Sequence, residues 1–174
     1  MKPLSESKAL IKLDAIRTEF AGDIRRSYEN KAKPCATCET PGACCLDEHF
    51  VNVRITRLEA KAIGNALKSM PSKLKEKVYL RIENAVEKYG LDGRSFENYA
   101  CPLFEKGIGC LVHEIAKPLP CIAHACYERK EDLPPDQLLT EKETEIANLN
   151  ERVYGELTLL PLPVAVKQIL RTSL

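Results

Sequence analysis

The chain has 174 residues, the length of roughly one domain, and its 44% apolar and 29% charged content marks a globular rather than a disordered sequence. Its 26 basic and 25 acidic residues leave a formal charge of +1, so no bulk field favours nucleic acid or an anionic membrane. Trp is absent and aromatic residues make up only 6%, which removes the stacking platforms of single-strand binders.

At the amino terminus Lys2, Glu6 and Lys8 stand where a signal peptide would carry its apolar stretch, so the expected compartment is the cytoplasm. From Ser5 to Tyr28 the apolar positions Leu13, Ile16, Phe20 and Ile24 recur at helical spacing and predict an amphipathic helix. Pro34 and Glu39-Thr40-Pro41-Gly42 turn the chain into a loop holding Cys35, Cys38, Cys44 and Cys45. Val51, Val53 and Ile55 alternate with Asn52 and Arg54, as in a short strand or extended segment. Thr56 and Glu59 form a capping-box pattern before a helix with Ile63, Ala66, Leu67 and Met70 on one side. A second helix follows from Ser72 to Tyr89, with Leu74, Val78, Ile82 and Ala85 in register and Gly90 where a terminating glycine is common. Two such helices joined by a short turn are expected to pack as a hairpin.

Between Leu91 and Tyr127 the helical period is lost to Gly and Pro, and the other four cysteines lie here. Leu111 to Glu114 reads as a short strand, and Pro118 to Cys126 as a helical turn or short helix. Pro134 and Pro135 mark a boundary, with Asp136 as the expected cap of a polar helix ending near Tyr154. Leu157 to Pro163 is apolar and leads into a last helix towards Leu170. The longest uncharged apolar run, Leu157 to Val166, is too short to span a bilayer and is broken by Pro161 and Pro163. The expected architecture is a mostly α single domain over 1–174. A cysteine-cluster core covers 35–127, and helices flank it at 1–34 and 128–174.

Eight cysteines in a chain expected to stay in a reducing compartment point to metal binding before disulfides. The first group is Cys35-x2-Cys38-x5-Cys44-Cys45. A two-residue spacer lets both thiolates of a turn converge on one metal or cluster. Adjacent Cys44 and Cys45 diverge, so they serve different metals or leave one thiol over, and a disulfide between them would be strained. The second group is Cys101-x8-Cys110-x10-Cys121-x4-Cys126. Four thiols in each group allow one shared centre or two, and the favoured arrangement joins Cys35, Cys38 and one of Cys44 or Cys45 to cysteines of the second group at a single centre. Each histidine follows a cysteine within four residues, as His49, His113 and His124. His113 and His124 read as packing groups or as partners of a thiolate rather than as ligands. His49 reads as a surface residue.

Cys35-x2-Cys38, Cys44-Cys45, Cys101-Pro102-Leu103, Gly109-Cys110-Leu111-Val112-His113-Glu114 and Lys117-Pro118-x2-Cys121 with Cys126 together resemble the YkgJ-like cysteine-cluster proteins. These are described as a zinc- or iron-chelating domain or as Fe–S-cluster-containing proteins. The resemblance covers residues 35–127 and includes all eight cysteines. It departs from the family's pattern at Lys117, His113, His124 and Ile122, and in the longer spacer before Cys44. It implies that these thiols hold a metal.

The irregular spacers favour an iron–sulfur cluster over zinc, with a redox role and, if the protein is an enzyme, a metal- or Fe–S-dependent oxidoreductase. The expected partner is a protein or redox partner, with no nucleic acid and no membrane. The competing class is a zinc-stabilised binding module that docks through the polar helix and apolar tail. A thiol–disulfide enzyme built on Cys35 and Cys38 lacks the βαβ pattern it needs. No phosphate loop, dinucleotide fingerprint or H-E-x-x-H helix is present. Of the carboxylates, Glu114 and Glu128 lie nearest the cysteines in sequence.

Overall fold

The computed structural model describes residues 2–33, 42–46, 52–91 and 98–172. In chain order the elements are α1 (Glu6–Ser27), β1 (Ala32–Lys33), α2 (Ala43–Leu46), β2 (Arg54–Ile55), α3 (Arg57–Lys68), α4 (Ser72–Lys88), β3 (Phe104–Glu105) and β4 (Gly109–Cys110). They continue as α5 (His113–Ala116), α6 (Leu119–Ala123), β5 (Cys126–Tyr127), α7 (Asp136–Tyr154), β6 (Leu160–Pro161) and α8 (Leu162–Arg171). The fold is mostly α, as the periodicity predicts. The short strands form three separate two-stranded antiparallel ladders, β1–β5, β2–β6 and β3–β4. Among the described residues no helix is long and apolar enough to cross a membrane.

The chain divides into two compact units, each made from two stretches of sequence. The first unit comprises Met1–Pro41 with Lys117–Leu157, and the second Gly42–Ala116 with Thr158–Leu174.

In the first unit α1 and α7 run antiparallel. Tyr154 at the end of α7 donates to Glu6 at 2.7 Å, and Lys142 reaches Glu19 at 3.2 Å. α1 buries Ala9, Leu13, Phe20 and Ile24, and α7 buries Ile146 and Leu149. Arg17 shares the buried stripe of α1 at 6% exposure, a position that composition alone would give to solvent. Its Nε donates to the Lys117 carbonyl at 3.0 Å, which gives the buried charge an acceptor and ties α1 to the turn leading into α6. Asp136 is the first residue of α7 rather than its cap. Pro135, at ψ 135°, already holds the extended conformation of the cap position. The helix ends at Gly155, whose φ of +81° is left-handed, and buried Asn150 donates to the Glu156 carbonyl at 2.8 Å just beyond.

In the second unit the core holds Ile55, Ile63, Leu67, Val78, Ile82, Leu91, Tyr99, Leu103, Val112, Leu162 and Val166. The expected α3–α4 hairpin is replaced by an arrangement in which α8 packs against both helices. α8 reaches them because β6 pairs with β2 and delivers it to the start of α3. The apolar run before and within α8 is therefore largely core: Leu162 to Val166 and Ile169 are buried, while Leu157 and Leu159 stay exposed. The strand expected at Leu111 to Glu114 is not formed. Leu111 and Val112 lie in a turn and His113–Ala116 is helical, because the Ala116 N–H returns to the Val112 carbonyl at 2.9 Å and makes a local bond instead of a ladder.

The capping box predicted at α3 is present in full. The Glu59 N–H donates to Thr56 Oγ1 at 3.2 Å, and the Thr56 N–H donates to Glu59 Oε2 at 2.9 Å. Glu59 is 8% exposed, and its Oε2 also accepts from the Thr56 hydroxyl at 2.9 Å. Thr56→Ala is expected to destabilise the second unit by about 1–2 kcal/mol. Urea midpoints compared with those of Thr56→Ser, which keeps the oxygen, would read the cost of losing it.

Candidate metal centre

Six of the eight cysteines expected to ligate metal lie among the described residues, and all six are half-buried. Cys35, Cys38 and His49 lie outside those residues. Cys44, Cys45, Cys101 and Cys110 belong to the second unit, and Cys121 and Cys126 to the first. The two groups that are consecutive in sequence are therefore divided differently by the fold.

In the second unit β3 and β4 form a hairpin in which Glu105 faces Gly109 and Phe104 faces Cys110. The loop between them turns at Gly107, φ +85°, and β4 opens at Gly109, φ +102°, both positions where a side chain would be strained. Cys101 lies at the base of this hairpin, and its N–H donates to the Cys45 carbonyl at 2.7 Å. Cys44 and Cys45 sit on α2, a single turn in which the Cys45 and Leu46 N–H groups return to the Gly42 carbonyl at 2.8 and 2.9 Å. Gly42 has φ +84°, and a Cβ there would fall 1.9 Å from Phe104 Cζ. The vicinal cysteines are thus held to the hairpin twice, by the Cys45–Cys101 backbone bond and by the Phe104 ring lying on Gly42.

The thiols here are electrostatically arranged. Burial pushes the Cys101 thiol up to about 12. The backbone N–H of Leu103 opposes that rise, the nearby Cys110 thiol adds to it, and the Phe104 N–H and Arg81 guanidinium oppose it more weakly. Desolvation and the repulsion of a second thiolate disfavour a lone anion at this place. A cation reverses both, because the second thiolate then becomes a ligand and the N–H groups still stabilise sulfur charge. Among the described residues no three His, Cys, Asp or Glu side chains stand together closely enough to hold an ion.

In the first unit Cys121 lies on α6, which packs against α1 and α7, and Cys126 opens β5. The β1–β5 ladder sets Cys126 opposite Lys33. Two positions after Lys33 the sequence reaches Cys35. Glu128, one of the two carboxylates singled out from sequence, pairs with Lys33 Nζ at 2.6 Å, and that ammonium holds its carboxyl below the usual range. Both side chains are more than 60% exposed, so this is a surface ion pair rather than an acid–base group. Glu114 is 82% exposed and lies 3.5 Å from His113 Nε2. His113 is itself 54% exposed, and His124 is exposed, so of the two roles expected of them, packing or partnering a thiolate, packing is ruled out.

Residues that the sequence did not single out are Phe104 and Arg81 around the hairpin, and Arg17 behind α6; Gly42 was read only as part of the Glu39-Thr40-Pro41-Gly42 turn, two residues before the vicinal pair. Comparison with protein-family models, with curated proteins and with solved structures finds no match.

Proposed function

We propose that this chain is a cysteine-ligated metal-binding protein, most simply an iron–sulfur protein with a redox role exchanging electrons with a protein partner. The observation that carries the reading is the corner at Cys101. Its N–H is bonded to Cys45, its thiol lies within electrostatic reach of Cys110, and backbone N–H groups are aimed at its sulfur. Such N–H groups suit a charged sulfur better than a neutral thiol. Ligand side chains need not stand assembled before metal arrives, since binding energy supplies the ordering.

The Cys45–Cys101 backbone bond and the pairing of Phe104 with Cys110 support a centre drawing on Cys44, Cys45, Cys101 and Cys110, with Cys121 and Cys126 serving a second one. An iron–sulfur cluster would supply one-electron transfer. Zinc is the second reading, supported by the glycine-turned hairpin that sets Cys110 against Cys101; it would make the protein a metal-stabilised interaction module.

The test is protein purified without air and assayed for iron, sulfide and zinc per chain, with absorbance near about 400 nm marking a cluster. Cys101→Ser and Cys121→Ser are each expected to lower the metal content to about half that of the parent. Complete loss in both variants would indicate one shared centre. Normally folded protein with no stoichiometric metal under these conditions would overturn the reading.

A further inference from the structure

We propose that the chain binds a second copy of itself, with the Ile108 tip of one molecule's β3–β4 hairpin entering an apolar pocket at the start of α7 in the next. No thiol takes part in this contact, so it stands whether or not the metal-binding reading holds.

The tip is Lys106-Gly107-Ile108, the loop between β3 and β4. Ile108 is 72% exposed and is no part of the core of its own unit. Ile11, Leu80 and Ile115 are also exposed, but they lie along the helices α1, α4 and α5 rather than at an apex. The loop is held in shape before any partner arrives. The Ile108 N–H donates to the Glu105 carbonyl at 3.0 Å, and Gly107 and Gly109 supply the positive φ angles of a tight hairpin. At its foot Arg81 Nη1 donates to the Phe104 carbonyl at 2.8 Å. Little ordering entropy therefore remains to be lost on binding. Lys77 stands 2.6 Å from one Glu105 oxygen and Arg81 3.0 Å from the other, which more than neutralises that carboxylate. Lys106 beside it is exposed, so the tip carries net positive charge.

The pocket has a volume of about 200 Å³ and is walled by Pro120 of α6 and by Leu133, Pro134, Pro135 and Leu139 around the start of α7. An enclosed cavity of about 150 Å³ accepts benzene, so there is room here for one isoleucine side chain. Pro134 and Pro135 fix their own φ angles, which keeps the wall in place without an occupant. Leu133 is 48% exposed, so this apolar wall is open to water. The polar residues of the lining are His124 and Asp136. Asp136 begins a helix on which acidic residues outnumber basic ones by five to two. Of the cations just before Leu133, Arg129 is paired with Asp132, leaving Lys130 to oppose that charge. A concave apolar site with a carboxylate in its lining suits an aliphatic side chain with a cation close beside it. Ile108 and Lys106 are that pair, two residues apart on one tip.

Tip and pocket are different surfaces, so a molecule that has given its tip still offers its pocket. Such a head-to-tail contact builds a ring or an open chain rather than stopping at a two-fold dimer. One buried side chain and one ion pair make a small interface, and the expected dissociation constant is about 0.1–1 mM.

The experiment is sedimentation equilibrium of the full chain, purified without air and kept under reductant so that no intermolecular disulfide contributes. The average mass is expected to rise above that of one chain as the concentration approaches about 1 mM. Ile108→Asp is expected to weaken association at least about tenfold at an unchanged melting temperature. Lys106→Asp and Asp136→Lys should each weaken it about threefold or more. The double variant restores opposite charges across the contact and should return to within about threefold of the parent. Mixing tests the head-to-tail geometry. Ile108→Asp keeps its pocket and Leu133→Lys keeps its tip, so the two together are expected to form dimers and nothing larger. A parent that stays monomeric throughout overturns the inference. So does an Ile108→Asp variant that associates like the parent, a double charge variant no better than its two singles, or a mixture that forms no dimer.

Discussion

Replacing Tyr99 with alanine is expected to cost the second unit about 3–5 kcal/mol, the largest single-residue effect in its core. Tyr99 is fully buried and lies between α4 and β3 in the chain. Its hydroxyl donates to the Val53 carbonyl at 2.6 Å and accepts from the Leu162 N–H at 3.2 Å. One side chain thereby ties the approach to β2 to the first residue of α8. The ring and the hydroxyl are separable. Leu162 also donates directly to Val53 at 2.9 Å, so neither backbone group is left bare when the hydroxyl goes. Tyr99→Phe is therefore expected to cost only about 1 kcal/mol. Urea unfolding followed by circular dichroism would read both variants. A phenylalanine variant as damaged as the alanine one would show that the hydrogen bonds, not the ring, hold this junction.

What the sequence revealed depended on how local the cause was. The helical stripe Leu13, Phe20, Ile24 and the Thr56–Glu59 box are decided within a few residues, and both form as read. Gly90 ends α4 with φ +58° for the same reason. Ile16 was placed in the stripe of α1, yet Arg17 is the buried neighbour, because its acceptor is the distant Lys117 carbonyl. The expected α3–α4 hairpin was likewise incomplete: α8, arriving from the far end of the chain, packs against both helices and covers the apolar sides their sequences display. The candidate site divides along the same line. Its residue types and the hairpin glycines are visible in sequence, whereas the allocation of thiols to units is set by ladders such as β1–β5, whose partners lie far apart in sequence. Arg81 carried no signal because helix spacing alone does not distinguish a cation aimed at a buried hairpin from one facing water.

Gly42→Ala is expected to release the vicinal cysteines from the hairpin. Two costs coincide at this position. The left-handed φ of +84° strains any residue with a Cβ, by about 1–3 kcal/mol, and the new carbon would lie 1.9 Å from Phe104 Cζ, forcing the ring to move. α2 is a single turn hung on the Gly42 carbonyl, too short to resist such a cost by itself. The segment should therefore detach locally while the α3–α4–α8 core stays folded. The Cys101 amide reads this directly, because it donates to the Cys45 carbonyl at 2.7 Å. Its hydrogen exchange is expected to accelerate about a hundredfold while the Leu162 amide stays protected. Metal held by Cys44 or Cys45 would be lost in parallel. Adding Phe104→Ala removes the collision but not the backbone strain, so the double variant should recover only part of the protection. Unchanged exchange at Cys101 in Gly42→Ala would mean that the ring yields freely and that the Cys45–Cys101 bond alone secures the pair.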